Sequence, residues 1–342
     1  MSIEALTQSV QFNCDLSDRE FAADYSICIY LIRMREYYRW AHGIAPDAAL
    51  DQASLMDWVS NKEDAWEALE QVDFQALVYQ GETFSPFDAQ ALNHKLHASG
   101  YTYSAGYGRF AKPVFVLAEL ESLEINHDYR LTLAGRELAR ELVAPPAVMQ
   151  NGEIFIRTES VSRMIWDLLE EWQWHKPDNA MAEFVRYYDF EKKPLQALQA
   201  ASVEQREVLI LHEIGELLAE DILAANWNEM LFSDNKHLQL FARAVRDCLA
   251  DCLSTLPGLL AVNNVPGLHF YFASLTPMRK AMFPALVEGY QQWRQQGSMD
   301  GLKQAIEPGR AHWMAVAGQL TDAFKLEPGK ITLKSYIEIH AL

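Results

Sequence analysis

The chain has 342 residues, half of them apolar, which is enough for a sizeable buried core and for two domains. Its 47 acidic and 29 basic side chains give a formal net charge of −18, which argues against nucleic acid and anionic membrane surfaces as general partners. Four cysteines are too few for a disulfide scaffold and no basic, apolar leader opens the sequence, so a cytoplasmic protein is expected.

Ser17-Asp-Arg-Glu20 reads as a capping box that opens a helix over 18–41, ending before Gly43 and Pro46. Within it, Arg33-Met-Arg-Glu-Tyr-Tyr-Arg39 offers either an anion-binding face or a surface lattice of ion pairs. Asp24 and Glu36 are its candidate carboxylates for a metal site. Helices are predicted over 48–60, 62–80 and 86–98, the last starting at Ser85-Pro86 and stopped by Gly100.

Tyr101 to Phe110 is aromatic and glycine-rich, with little helical character. Pro113–Leu117 reads as a strand. Leu120–Ile125 and Tyr129–Leu133 are predicted to pair across a turn at Asn126-His127-Asp128, with a helix after Gly135. Pro145-Pro146 marks the expected boundary between residues 1–146 and 147–342. Beyond it, Glu153–Arg157 suggests a short strand, followed by helices over 159–174, 178–188, 202–225, 235–255, 276–294, 298–306 and 309–324. A second capping box at Ser202-Val-Glu-Gln205 would open the helix 202–225, and Lys330 to His340 alternates like a terminal strand. The predicted fold class is predominantly α with a small β element (α+β): an N-terminal mixed α+β half with a hairpin near 101–133, and a C-terminal helical bundle. Pro266, Pro277 and Pro284 break the longest apolar region, so no bilayer span is expected.

The densest chemistry lies in Leu211-His-Glu-Ile-Gly-Glu216. On a helix, Leu211, Gly215, Leu218 and Ile222 would centre an apolar face, His212 and Glu216 would flank it as an i, i+4 pair, and Glu213 would point further toward water. Imidazole and carboxylate are ligands for zinc, iron and manganese, and helical bundles assemble such sites from several helices. His-Glu-x-x-Glu matches neither the zinc-protease nor the di-iron pattern, so other helices must complete any site. Asp247, Asp251, Glu36 and His269 are the candidates, with Glu213 as ligand or general base. Against this stand a helix flank with an ordinary hydrogen-bonded histidine, and a core role for His269 in Gly267-Leu-His-Phe-Tyr-Phe272. Leu238, Phe241, Val245, Cys248 and Cys252 form an apolar stripe, which makes both cysteines small buried hydrophobes.

The segment 101–113 is a second candidate. Gly106 and Gly108 permit a flexible loop with exposed amides, and Tyr107, Arg109 and Lys112 would suit an anionic or aromatic small molecule. The competing reading is a tight turn into the strand at 113. Finally, Asp128-Tyr-Arg-Leu-Thr-Leu-Ala-Gly-Arg-Glu-Leu138 resembles the end of the wing in winged-helix regulators. That resemblance implies a recognition helix at 86–98, carrying His94, Lys95 and His97, which is only weakly basic. With the acidic charge it points to a degenerate winged helix serving as a scaffold. Together these features lead to an expected metal-dependent enzyme, oxidative or hydrolytic, using iron, manganese or zinc on a small anionic or aromatic molecule. A homo-oligomer is compatible with this reading. A non-catalytic helical scaffold or ligand-binding protein is the alternative.

Overall fold

The computed structural model describes residues 2–22, 25–150 and 152–326. Two compact units emerge: one comprises 1–146 and 157–163, the other 147–156 and 164–342. The expected division into a mixed first half and a helical second half holds. Asp24 and the expected strand from Lys330 to His340 fall outside the described residues.

In the N-terminal unit, helices α1 (Ile3–Phe21), α2 (Ile27–His42) and α3 (Gln52–Glu67) precede a small hairpin, β1 (Leu77–Tyr79) and β2 (Glu82–Phe84). Helix α4 (Ala89–Leu96) follows, and then an antiparallel meander of β3 (Tyr101–Tyr107), β4 (Pro113–Ile125) and β5 (Arg130–Arg140). Leu6, Val10 and Cys14 repeat at helical spacing on α1 and pack with Phe115 and Leu117 of β4, Ala139 of β5, and Leu92 and Leu96 of α4. The β4–β5 turn forms where expected: Asn126 N–H donates to the Tyr129 carbonyl and its side chain accepts from Tyr129 N–H.

Three sequence expectations fail here for identifiable reasons. Ser17 does not cap a helix, because α1 runs through it. Its hydroxyl donates instead to the Pro113 carbonyl at 2.5 Å, and Asp18 takes Lys112 at 2.6 Å and Leu142 N–H at 2.7 Å. A local capping signal has been overridden by tertiary hydrogen bonds, and α2 starts instead at Ser26, whose side chain accepts from Ile29 N–H. Two separate helices at 48–60 and 62–80 give way to α3 alone, followed by the β1–β2 hairpin, which turns on Gln80 and Gly81 at φ 49° and 85°. No helix follows Gly135, since β5 continues to Arg140. The segment that resembles a winged-helix wing therefore lies, from Arg130 onward, in one long strand.

The C-terminal unit opens with the antiparallel pair β6 (Ala147–Gln150) and β7 (Glu153–Arg157), whose last residue belongs to the N-terminal unit, as does the first turn of α5 (Thr158–Gln173). Then come α6 (Ala180–Tyr188), α7 (Pro194–Glu204), α8 (Arg206–Glu220), α9 (Trp227–Leu231), α10 (Lys236–Ala250), α11 (Leu256–Ala261), α12 (Val265–Ser274), α13 (Pro277–Met282), α14 (Pro284–Gln296) and α15 (Asp300–Leu326). The second capping box also fails: Ser202 lies in the last turn of α7, where its hydroxyl donates to the Leu198 carbonyl, and α8 begins only after Gln205. Between α10 and α11, Asp251–Thr255 forms a π-helical turn. Its wider winding shifts the register of every side chain that follows. Leu238, Phe241, Val245, Cys248 and Cys252 form the expected buried stripe. No helix among the described residues is long and apolar enough to cross a membrane.

Candidate functional site

Helices α8 and α10 approach so closely that only glycine fits at their contact. A Cβ at Gly215 would lie 2.8 Å from the carbonyl carbon of Ala250 and closer still to its oxygen. This approach sets the face of α8 that carries His212 and Glu216 against Asp247 and Asp251. It also reverses the expected burial. Glu213 and Glu216 are buried, while Leu218 and Ile222, expected at the centre of the apolar face, are 43% and 42% exposed. The helix has turned its charged flank inward because α10 meets it with compensating charge in Arg246.

Asp251 organises the histidine. Its Oδ1 accepts from His212 Nδ1 at 2.9 Å and from Thr255 Oγ1 at 3.2 Å, and its Oδ2 accepts from Tyr271 Oη at 2.6 Å and from Arg279. A carboxylate that receives donors on both oxygens orients His212 through Nδ1, and Nε2 then faces Glu216 Oε1 at 3.5 Å. Arg246 Nη2 donates to that same Oε1 at 2.5 Å and lies 3.5 Å from Asp247 Oδ1. One ligand-type atom each from His212, Glu216 and Asp247 falls within 4.8 Å of the others.

The titration behaviour follows from this crowding. Burial pushes Glu213 well above the usual carboxylate range and the neighbouring negative Glu216 pushes it further, so Glu213 is a neutral acid near neutral pH. Burial would also raise Glu216, but Arg246 and His212 outweigh it and hold that carboxyl low. Burial disfavours the charged form of His212, yet the hydrogen bond it makes to Glu216 and the charge of Asp247 raise its pKa overall.

The other candidates lie elsewhere. His269 bonds the Tyr290 hydroxyl through Nδ1 at 2.9 Å and stacks on Trp293 with ring centroids 5.0 Å apart. Burial lowers its pKa to about 4, so it is a neutral core histidine. Glu36 belongs to the N-terminal unit, where it pairs with Arg35 at 2.7 Å and Arg39 at 3.5 Å. The glycine-aromatic segment is not an open loop: Gly106 pairs with Val114 inside β3–β4, and Gly108 N–H donates to the Lys112 carbonyl at 2.8 Å. Lys112 is buried against Asp18, Tyr107 stacks on Phe87 at 5.2 Å, and Arg109 opens a short turn over Arg109–Ala111. These residues do not gather around a common point.

Sequence reasoning missed Arg246, Tyr271 and Arg279, which supply the counter-charge and the donors. Arg246 directly precedes Asp247, a spacing that carries no metal signature. It also missed a buried cluster in the N-terminal unit. There Arg157 donates to Glu137 at 2.7 and 3.0 Å and to Glu141 at 2.8 Å, Ser160 donates to Glu137 at 2.5 Å, and Arg140 lies over the rings of Tyr37 and Trp40. Burial would raise the Glu137 carboxyl, but Arg157 and Arg140 hold it at about 2.

Fold and site together define a two-unit protein: a mixed α/β unit, then a helical unit with a buried His–carboxylate–Arg centre. Residues 5–157 match the N-terminal domain, and residues 162–336 the C-terminal domain, of the family of unknown function DUF6866, and the chain belongs to that family. No curated protein and no solved structure matches it.

Proposed function

We propose that the α8–α10 centre holds a divalent iron, manganese or zinc ion through His212 Nε2, Glu216 and Asp247, and that the protein is a metal-dependent enzyme acting on a small molecule. The observation that supports this reading is the Asp251–His212 hydrogen bond. An imidazole that ligates a metal commonly gives its other N–H to a carboxylate, which fixes the tautomer and the ring plane. The donor set suits these ions: one imidazole nitrogen and two carboxylates, from two helices, within 4.8 Å of one another. A bound ion would supply Lewis acidity at this point. The chain's own groups have separate tasks. Asp251 orients His212, Arg246 balances Glu216 and Asp247, and Glu213 keeps a proton in a dry setting from which it can be donated. A cytoplasmic setting belongs to the same reading and agrees with four unpaired cysteines.

The test is metal analysis of untagged protein, supplemented in turn with ferrous, manganous and zinc salts and desalted. Wild type is expected to retain about one equivalent per chain, and His212→Ala and Asp247→Asn much less. Retention below about a tenth of an equivalent by wild type, or equal retention by the variants, refutes the reading.

A further inference from the structure

A cavity of ≈ 230 Å³ adjoins this centre and shares Arg246 with it. Its volume is below the roughly 300–1,000 Å³ of ordinary ligand pockets, so it suits a molecule of about ten heavy atoms or fewer. The lining divides by chemistry and by burial. Trp227 and Leu231 are buried, Arg246 is largely buried, Leu223 is half-buried, and Glu220 and Asn228 are exposed. Arg246 brings five N–H donors, of which Nη2 serves Glu216 and Asp247, so the guanidinium keeps donors to spare. Glu220 makes no ion pair or hydrogen bond among the described residues, although Arg246 lines the same cavity. A largely buried cation, an exposed uncommitted carboxylate and three apolar side chains lining one cavity match the two charged ends and the side chain of one molecule.

We propose that this cavity binds a small zwitterion of the amino-acid type with an aliphatic side chain, its carboxylate on Arg246, its ammonium at Glu220, and its side chain against Leu223, Leu231 and Trp227. That this molecule is the substrate rests on the metal-centre reading; the binding itself does not. A simple carboxylate leaves Glu220 unpaired beside a second negative charge, and a simple amine leaves Arg246 facing apolar carbon. Opposite charges on one ligand satisfy both walls.

Titration calorimetry on the full chain, stripped of metal with chelator, tests this with three matched probes: L-leucine, 4-methylpentanoate and 3-methylbutylamine. L-Leucine is expected to bind at least about tenfold tighter than either analogue. Glu220→Gln is expected to weaken L-leucine about tenfold while leaving 4-methylpentanoate unchanged or tighter. Glu220 is exposed, so the variant keeps the fold, checked by circular dichroism. Equal affinity for L-leucine and 4-methylpentanoate, loss of both probes alike in Glu220→Gln, or no binding by wild type each overturns the proposal. Because metal is absent throughout, L-leucine binding by a protein that never retains metal would sink the metal centre and leave this site standing. Metal retention without L-leucine binding does the reverse.

Discussion

Replacing Gly215 by alanine tests how the centre is built, because two effects of opposite sign compete at one position. Alanine is better than glycine inside a helix by about 1 kcal/mol, so an unobstructed site would gain stability. At Gly215 the added methyl would meet the backbone of Ala250, 2.8 Å from its carbonyl carbon and 3.0 Å from its Cα. Carbon atoms prefer about 3.5–4.0 Å, so α8 and α10 must separate by roughly 0.7 Å or more. Neither partner can yield by a rotamer change, since both are main chain. Overpacking of this kind costs about 1–3 kcal/mol, and opening the gap also stretches the bonds that join His212 to Asp251 and Glu216 to Arg246. The net expectation is destabilisation by about 1–3 kcal/mol, which lowers the midpoint of a unit of this size by roughly 3–10 °C. Gly318, exposed on α15 with nothing within 4 Å of where a methyl would sit, is the control: there the same substitution is expected to stabilise by up to about 1 kcal/mol. Thermal unfolding followed by circular dichroism reads both. If Gly215→Ala raises the midpoint as Gly318→Ala does, the close helix contact is wrong and the centre loses its structural basis.

Four further outcomes follow from the buried polar groups. Glu137, at about 2 when folded against an ordinary 4.5, contributes stability that is present above pH 4.5 and lost as pH falls toward about 2. Its ionisation is worth about 3 kcal/mol, and acid titration of Glu137→Gln should show a flatter loss over that window. Burial raises Asp18 to about 6 despite Lys112, so ionising it costs stability as pH rises from about 4 to about 6. Lys112→Met should therefore cost about 3–5 kcal/mol in urea unfolding at neutral pH and clearly less at pH 5, where the carboxyl is protonated. Asp251→Asn should destabilise by about 2–4 kcal/mol, because Arg279 loses its counter-charge and one of the two accepting oxygens becomes a donor; an unchanged urea midpoint contradicts that. His269→Phe should cost only about 1 kcal/mol, the hydrogen bond to Tyr290, and should leave metal content unchanged; loss of metal would place His269 in the centre after all.

Some of this was legible in residues alone. Alternation over Leu120–Leu133 with Asn126 at the turn specified the β4–β5 hairpin, and the helical spacing of Leu238, Phe241, Val245, Cys248 and Cys252 specified the buried stripe of α10. The Gln80-Gly81 dipeptide was a usable turn signal that a longer apolar pattern concealed. The failures share a cause. Ser17, Asp18 and Ser202 look like local capping groups, but each bonds a carbonyl, an amide or a lysine that only folding brings near or that the preceding helix supplies. Likewise, periodicity placed Leu218 and Ile222 inside and Glu213 outside, because it weighs each side chain without the partner that meets it. Arg246 reverses that weighting by neutralising the flank of α8 from a different helix, about thirty residues away in sequence.

At the α8–α10 contact, three departures from what helix stability alone would select coincide. Glycine sits in the middle of a helix at a cost of about 1 kcal/mol relative to alanine. A π-helical turn interrupts the regular winding immediately after Ala250 and carries Asp251 toward His212. Glu213 and Glu216 are buried while Leu218 on the same helix is exposed, which reverses the usual direction of burial. The departures depend on one another. The glycine admits the close approach, the π turn supplies the carboxylate that holds the imidazole through Nδ1, and the buried Glu216 faces its other nitrogen. A fold that needed only to pack these helices would do so with an apolar seam, as α10 does along Leu238 to Cys252. Local rules broken together, each in a way that brings ionisable groups to one point, are characteristic of a site kept for its chemistry. That is the ground for testing His212, Glu216 and Asp247 as ligands before any other residues of the chain.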